Sequence, residues 1–448
     1  MPHQIPGFTG TLIEPGHDEY DAHREVWNAM VDRRPALIAR CTSADDVAAA
    51  IRHAREHDLE IGVKCGGHSV LGLSVPHDGL MIDLTPLGDV RVDPDAQRAS
   101  VGGGALLRFL DQASQAHGLA TTAGNVSHTG VGGLTLGGGM GWLARQAGLA
   151  CDNVEAYTVV TADGQILRAT ATDHPDLFWG LRGGGGNFGV VTEFEFRLHP
   201  VGREALLVEL GFDAADAFEP MRRWRDLLPD APRQATLTAD AITVDGRPMI
   251  VIGYVWVGDP EEGMAYLSTM RSIGQPRDET VRPMPYLELQ SIGDANHLHG
   301  KRRYSAGHYL TELSDAAIEA FLTRGTTDGN VDWTRVAAGG FQAYGGAIAE
   351  VANGDSAFSH RDAVVEFFGG FTWEDPTEDE ERMDAARAFG AALSPFASGV
   401  YVNVLYDEGV EGVRRAYGDA KLASLSALKR RYDPDNIFHL NQNIVPAP

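Results

Sequence analysis

The hydrophobic and polar positions predict short, alternating elements in the first half of the chain. Residues 20–60 are predicted as helix, strand and helix, because a short apolar run at 36–40 precedes apolar positions that recur at helical spacing from Val47 to Ala54. A capping sequence at 42–45 stands directly before that second helix. The other predicted elements of this half are strands at 61–63, 80–84, 155–161 and 190–198 and helices at 106–117 and 176–181.

Beyond about residue 203 the pattern changes to strands that alternate with amphipathic helices. The predicted strands span 205–210, 249–256, 341–351, 364–371 and 400–405, and the predicted helices span 315–323, 379–393 and 417–432. A chain of 448 residues is also too long for one hydrophobic core. We therefore predict an α+β protein with a first domain at 1–203, a second at 204–416 and a C-terminal segment at 417–448.

Glycines of the first half cluster in runs. Residues 102–104, 130–141 and 183–189 each contain at least three glycines, and Gly66 and Gly67 form a shorter pair. Since glycine lets backbone amides approach a ligand closely, these runs favour a cofactor that carries phosphate groups.

Several common motifs are excluded. Gly184, Gly186 and Gly189 have Rossmann spacing, but they lie between a predicted helix and a predicted strand, whereas that fingerprint joins a strand to a helix. The chain contains neither a P-loop nor the Gly-x-Ser-x-Gly sequence of hydrolases. Cys65 and His68 have no second pair of ligands at zinc spacing, so no metal site is expected.

Charge and cysteine content narrow the class of partner. The formal net charge of −25 argues against nucleic acid and anionic membranes, which require clustered Lys and Arg. The three cysteines suggest no disulfide framework, no apolar stretch approaches a membrane span, and residues 1–20 lack the pattern of a secretory signal. These features predict a cytoplasmic protein that acts on a small molecule, and they do not indicate its oligomeric state.

Five ordered segments resemble one family of flavoproteins. Residues 64–74, 129–141, 148–153, 176–189 and 432–444 together resemble the berberine-bridge-enzyme-like branch of the vanillyl alcohol oxidase superfamily. The resemblance implies a two-lobed FAD-binding domain of the PCMH type with its core at about 33–203. It also implies a substrate domain with an antiparallel sheet covered by helices, and a C-terminal segment that returns to the FAD domain.

The resemblance also implies roles for individual residues. His68 is expected to bond covalently to FAD, and Gly66, Gly67 and Ser69 to offer amides to its phosphates, beside Cys65. A second tether, which comes from a cysteine in many relatives, is not expected because Val126 occupies its place. The other residues expected around the flavin are Ser127, Thr129, Gly130, Gly132, Gly133 and Gly138, with Val191 near the adenine and Asn441 closing over the cofactor.

The implied chemistry is an oxidase reaction. A small alcohol, amine or natural-product intermediate loses hydride to the flavin while a base takes a proton, and O₂ then accepts the electrons and gives H₂O₂. Thr129 occupies the position associated with oxygen access, and its small size favours an oxidase. The alternatives are a flavin dehydrogenase with another acceptor, a redox-silent flavin-binding protein, and a nonredox lyase or cyclase.

The sequence offers several candidates for the catalytic base. Relatives often place a tyrosine where this chain has Val404, so Tyr401 and Tyr344 are the predicted bases, and Gln342 and Asn403 are predicted to contact the substrate. A tyrosine acts as a base only if its neighbours lower its pKa. Three further candidates are Tyr406, His308 and Glu366.

Overall fold

The computed structural model describes residues 4–326 and 331–448. Residues 1–3 of the predicted first domain and 327–330 of the predicted second domain lie outside the described residues. The chain forms three main sheets and fourteen α-helices within these ranges, which confirms the predicted α+β class. None of the described helices is both long and apolar enough to cross a membrane.

A four-stranded sheet forms the first lobe. Its strands are β1 (Thr11–Ile13), β2 (Leu37–Arg40), β3 (Ile61–Lys64) and β4 (Leu80–Asp83), in the order β1-β2-β4-β3, and it packs with α1 (Tyr20–Arg24) and α2 (Ala44–Glu56). Strands β2, β4 and β3 run parallel, whereas β1 is antiparallel to β2. The Ser43 hydroxyl caps α2 by accepting a hydrogen bond from the Asp46 amide, as the sequence pattern predicts.

A five-stranded antiparallel sheet forms the second lobe. Its strands are β5 (Val90–Asp93), β6 (Arg98–Gly102), β8 (Val154–Val160), β9 (Ile166–Thr170) and β10 (Val190–Arg197), in the order β5-β6-β10-β8-β9, while β7 (Leu119–Ala120) pairs with β11 (His199–Pro200). The helices of this lobe are α3 (Leu107–Gln115), α4 (Val131–Leu136), α5 (Ala144–Ala147) and α6 (Pro175–Leu181). Tyr157, Phe188 and Phe194 are fully buried and anchor its core.

The second half of the chain builds a seven-stranded antiparallel sheet. Its strands are β12 (Glu204–Asp213), β13 (Ala235–Val244), β14 (Arg247–Val257), β15 (Asp278–Pro285), β16 (Arg302–Leu310), β17 (Ala338–Ala343) and β18 (Val365–Trp373), in the order β15-β12-β14-β13-β17-β18-β16. The helices are α7 (Phe218–Leu227), α8 (Pro260–Arg271), α9 (Tyr286–Leu289), α10 (Asp315–Thr323), α11 (Ala347–Glu350), α12 (Asp379–Leu393), α13 (Gly409–Tyr417) and α14 (Asp419–Tyr432).

The two faces of this large sheet have different neighbours. One face packs against helices through a core that includes Trp224, Phe321 and Phe389. The opposite face contacts the second lobe. There the Thr236 hydroxyl donates a hydrogen bond to the carbonyl of Trp142, which lies between α4 and α5. Side chains alternate between the faces of a strand, so strand register decides which residues point toward the first half of the chain.

Two predicted strands differ from the structure. Residues 400–405 form a 3₁₀ turn at Val402–Val404 within irregular backbone, so Tyr401 and Asn403 are not related by strand alternation. The predicted strand 341–351 ends at Ala343, because Gly345 and Gly346 adopt positive φ angles of 82° and 54° and turn the chain into α11. In both cases a sequence with strand-like residues is interrupted by a turn.

The C-terminal tail is attached to the second lobe by a buried charge. The Lys429 ammonium donates to the Asp433 carboxylate at 2.5 Å, to the Asn187 carbonyl at 2.8 Å and to the Phe438 carbonyl at 3.0 Å. The Ile444 amide donates in turn to the Asn187 side-chain oxygen. These bonds hold residues 438–444 against the loop that precedes β10.

Candidate active site

A cavity of about 400 Å³ is enclosed by both N-terminal lobes, the large sheet and the C-terminal tail. Predicted cofactor residues that line it are Cys65, Gly66, Gly67, His68, Ser69, Thr129, Gly130, Gly132, Gly133, Val191 and Asn441. Tyr401 and Asn403 line it as well. Four of the five segments of the resemblance, namely 64–74, 129–141, 176–189 and 432–444, therefore meet at one cavity.

Four predicted site residues have other surroundings. Ser127 donates through its hydroxyl and its amide to the Asp294 carboxylate, and Gly138 packs against Phe358. Gln342 and Tyr344 lie on or beside β17, outside the cavity wall. The wall also contains residues that the sequence did not single out, among them Trp27, Phe368, Leu440 and Gln442. Leu440 and Gln442 lie in the tail segment of the resemblance, whereas no local motif marked Trp27 and Phe368, which reach the cavity from two other segments.

The loop after β3 presents its backbone to the cavity. Gly66 passes so close to Gly130 that a Cβ atom on Gly66 would lie 2.3 Å from the Gly130 amide nitrogen. Gly67 adopts a φ of 68°, which favours glycine. Within the described residues, the amides of Gly67, His68 and Ser69 donate to no protein acceptor. Three successive free amides in a cavity wall suit the phosphates of a dinucleotide, so the loop fits FAD.

His68 sits in an aromatic and histidine-rich environment. Its ring stacks on Trp27 with the centroids 4.7 Å apart, and its Nε2 lies 2.8 Å from Nδ1 of His128. Its Nδ1 lies 3.4 Å from the hydroxyl of Thr129, which lines the cavity. Burial, reinforced by the neighbouring histidines, lowers the pKa of His68 to about 2. The ring is therefore neutral at physiological pH and keeps a nucleophilic nitrogen.

Cys65 is an unreactive neighbour of this histidine. Its Sγ lies 3.4 Å from the Ala105 carbonyl, and burial raises the pKa of its thiol to about 11. A buried protonated thiol is a poor nucleophile, so Cys65 serves as a small packing residue beside the loop.

The two predicted tyrosine bases are protonated and hydrogen-bonded. The Tyr401 hydroxyl accepts bonds of 2.8 Å from the Gly139 amide and from the Asn403 side chain. Tyr344 is fully buried, and burial raises the pKa of both tyrosines above the ordinary value. This geometry assigns Tyr401 and Asn403 to holding residues 401–403 against α4, because Asn403 also donates to the Leu134 carbonyl.

A buried carboxylate lies behind these tyrosines. Glu366 accepts a 2.8 Å hydrogen bond from the Tyr344 hydroxyl, which is 3.1 Å from the Tyr309 hydroxyl. Burial raises the pKa of Glu366 to about 7, so it can exchange a proton near neutral pH. Glu366 shares its face of β18 with Phe368, which lines the cavity, and Gln342 is its register partner on β17.

A second carboxylate occupies the same face of the sheet. Burial, followed by the charge of Glu209, raises the pKa of Asp240 to about 7. Its register partner on β17 is Gly340, which has no side chain, and Phe368 follows on β18. Asp240 and Glu366 thus give this face of the sheet an acidic character.

The other two base candidates lie apart from the cavity. His308 projects from the opposite face of the large sheet, with its Nε2 2.8 Å from the Gly390 carbonyl and its Nδ1 accepting from Arg415. The Tyr406 hydroxyl donates to the Arg303 carbonyl and accepts from Asn28. Neither residue lines the cavity, and neither shares a sheet face with the wall residue Phe368, as Glu366 does although it too lies outside the wall.

Comparisons with known proteins agree with this arrangement. The FAD binding domain family matches residues 35–170, and the berberine and berberine-like family matches residues 400–445. An FAD-linked oxidoreductase of Dictyostelium discoideum is 31% identical over 98% of this chain and 95% of its own. (R)-6-hydroxynicotine oxidase of Paenarthrobacter nicotinovorans is 27% identical over 98% of this chain and 97% of its own.

A solved structure extends the agreement to the whole fold. The crystal structure of 6-hydroxy-D-nicotine oxidase from Arthrobacter nicotinovorans superposes with a TM-score of 0.87 at 27% identity and covers 98% of each chain. The full-length match to an FAD-linked oxidoreductase and the two family matches confirm the resemblance inferred from the motifs. The chain belongs to the berberine-bridge-enzyme-like FAD-linked oxidoreductases.

Proposed function

We propose that the protein is an oxidase that removes hydride from a small alcohol, amine or natural-product intermediate and passes the electrons to O₂, giving H₂O₂. FAD supplies the hydride acceptor when it is bound. The observation that carries the proposal is the row of three unpartnered amides, Gly67 to Ser69, in the wall of the cavity. A relative over the full chain length, (R)-6-hydroxynicotine oxidase, is named as an oxidase and supports this class of reaction.

FAD is held, in this proposal, by amides and by one covalent bond to His68. Nδ1 of His68 is the nitrogen on the side of Thr129 and the cavity, and it is therefore the attachment atom. The contact between Nε2 and His128 orients the ring for that bond. Val126 has no nucleophilic atom, so the attachment is single.

Glu366 is the residue that takes the substrate proton in this proposal, in place of Tyr401 and Tyr344. A pKa of about 7 leaves a useful fraction of the carboxylate ionised at neutral pH, whereas both tyrosines stay protonated. The Tyr344 hydroxyl keeps one carboxylate oxygen in place and leaves the other for the substrate. A substrate that reaches Glu366 from the cavity would also meet Gln342, its register partner on β17, which like Glu366 lies outside the wall itself.

The acceptor is proposed to be O₂ because the residue beside the attachment point is small. Thr129 lines the cavity next to His68 and leaves the space that a bulkier side chain would fill. A Thr129→Leu variant should retain flavin reduction by substrate but show slower reoxidation in air. Equal reoxidation rates with a faster reaction toward a dye acceptor would favour the dehydrogenase instead.

The first experiment asks whether flavin is bound covalently. Purified protein is precipitated with acid, and flavin absorbance is measured in the pellet and the supernatant, in parallel with His68→Ala and the control His77→Ala, an exposed histidine. We expect yellow pellets from the native protein and the control, and release of flavin from His68→Ala. Colour released from all three would refute covalent attachment, and a native protein without flavin would refute the oxidase proposal.

A second experiment asks which substrates reduce the flavin. Alcohols, primary and secondary amines and sugars are added anaerobically, flavin bleaching is followed near its visible maximum, and H₂O₂ is measured after air is admitted. Amines belong in this panel because Asp240 and Glu366 make the sheet face acidic. Product formation with an unchanged flavin spectrum would favour a nonredox reaction.

A further inference from the structure

Three histidines from distant segments meet at the edge of the cavity, where His68 is part of the wall and His128 and His299 lie behind it. His68 belongs to the loop after β3, His128 precedes α4, and His299 precedes β16 of the large sheet. One ring nitrogen from each lies within 4.8 Å of the other two. The ring centroids of His68 and His128 are 4.8 Å apart, and those of His299 lie 5.4 and 5.2 Å from them.

We propose that these three histidines form a binding site for a divalent transition-metal ion of the Zn²⁺ type. Neutral imidazole nitrogen is a preferred ligand of Zn²⁺, and three histidines with one open position are a known coordination set. Zn–N bonds of about 2.0–2.1 Å in a tetrahedron place ligand nitrogens about 3.3 Å apart. The 4.8 Å limit is therefore close enough for binding after a small movement of one ring.

His299 is the ring that can make that movement. It is exposed, already contacts both other rings, and makes no hydrogen bond with the described residues that would have to break as it turns toward them. Nε2 of His68 and Nδ1 of His128 are already 2.8 Å apart, so these two nitrogens need to separate only slightly to hold an ion between them. The exposure of His299 also provides the entry path for the metal and for a water ligand.

The proposed metal ion binds the ring nitrogen of His68 that points away from the cavity. Nε2 faces His128, whereas Nδ1 faces Thr129 and the cavity. A metal on Nε2 therefore leaves the contents of the cavity in place, and the metal site does not depend on whether His68 carries a flavin. The inference thus stands or fails separately from the proposed oxidase activity.

Some charged groups near the three histidines favour a bound cation, and others oppose it. The Asp294 carboxylate, which is held by Ser127, lies near His128 and favours a cation. The Arg303 guanidinium opposes one, but it lies over the Trp27 ring at 3.5 Å from its centroid and donates to the Leu298 carbonyl. Trp27 itself stacks on His68 and limits the motion of that ring.

The test measures metal binding by the complete, flavin-loaded protein without an affinity tag. Protein freed of metal with a chelator is dialysed against Zn²⁺, and bound zinc is counted by mass spectrometry, with His299→Gln and His128→Gln as variants. His297→Gln is the matched control, because His297 is in the same loop but outside the group of three. The control also corrects for weak cation binding by a chain with a net charge of −25.

We expect one Zn²⁺ per chain in the native protein and in His297→Gln, and an affinity at least tenfold lower in the other two variants. Cu²⁺ at one equivalent should show hyperfine coupling to several nitrogens in its electron paramagnetic resonance spectrum, and this coupling should weaken in His299→Gln. Equal zinc affinity in all four proteins, or a Cu²⁺ spectrum with oxygen ligands only, would overturn the proposal. The melting temperatures of the variants check that the fold is intact.

Discussion

The two walls of the cavity are built in different ways. The wall formed by the loop after β3 and the segment around α4 is largely backbone: Gly66 and Gly130 bring main-chain atoms together where any side chain would collide, and Gly67 adopts a positive φ angle. The wall on the large sheet is made of side chains such as Phe368, with Glu366 and Gln342 beside it on neighbouring strand positions. The first wall depends on the absence of side chains, and the second depends on which side chains face inward.

This difference separates cofactor binding from substrate chemistry. Where two main chains touch, as at Gly66 and Gly130, the wall tolerates almost no substitution, because a main chain moves aside only at a large cost in free energy. A side-chain wall can change one residue at a time while the strands keep their register. The expected effects of mutation therefore differ in kind: loss of cofactor at one wall, and altered rate and pH dependence at the other.

Gly66→Ala should produce the largest effect. The new Cβ atom would lie 2.3 Å from the Gly130 amide, so the two segments must separate and the loop loses its shape. We expect little or no bound flavin and a lower melting temperature, measured by absorbance and by thermal unfolding. Gly354→Ala is the control, since a Cβ there meets no atom within 4 Å. Normal flavin loading in Gly66→Ala would contradict the backbone-wall description.

Glu366→Gln should lower kcat/KM by roughly 10²–10⁴-fold for any compound that reduces the flavin, as loss of a general base does. Flavin loading should be unchanged. In the native protein kcat/KM should rise with pH through about 7, because the carboxyl with a pKa of about 7 must lose its proton to act as a base. The variant should lack that inflection, whereas the exposed control Glu319→Gln should keep it.

The same carboxyl links stability to pH. Its folded-state pKa of about 7 is above the unfolded value of about 4.3, so the native protein loses stability as pH rises between these values. Glu366→Gln should remove this contribution and flatten the dependence of the free energy of unfolding on pH. An unchanged slope between pH 4.5 and 7 would show that Glu366 is ionised in the folded protein throughout.

Tyr344→Phe should have a smaller effect. The Tyr344 hydroxyl stabilises the ionised form of Glu366, so its removal raises the pKa of that carboxyl further and moves the pH inflection upward. At pH 7 we expect kcat/KM to fall several-fold, and at high pH it should approach the native value. A fall of the same size at every pH would instead indicate that Tyr344 takes the proton itself.

Tyr401→Phe should have the smallest effect on chemistry. The change leaves the Gly139 amide without its acceptor and costs about 1–3 kcal/mol of stability. The pH inflection should stay near 7, because Glu366 is untouched. Loss of the inflection together with loss of most activity would restore Tyr401 as the base.

Sequence patterns predicted most elements of the fold and many residues that line the glycine-rich side of the cavity. Helices at 315–323 and 379–393 appear with the predicted bounds, because their apolar periodicity and polar starts are local signals. The His68 loop and the segment at 129–133 line the cavity, as the motifs suggested. The prediction of a strand at 400–405 was wrong, because its apolar residues form a 3₁₀ turn that packs on α4.

Sequence alone was enough to identify the family and the glycine-rich wall of the cavity, because glycine runs and capping sequences act over a few adjacent residues. Two groupings became visible only in the three-dimensional structure: Glu366 shares a sheet face with Phe368, and His68 lies close to His128 and His299. These groupings depend on strand register and on contacts between distant segments. His68 and His299, for example, are 231 positions apart in the sequence. Periodicity within one segment carries no information about which distant segment it will face.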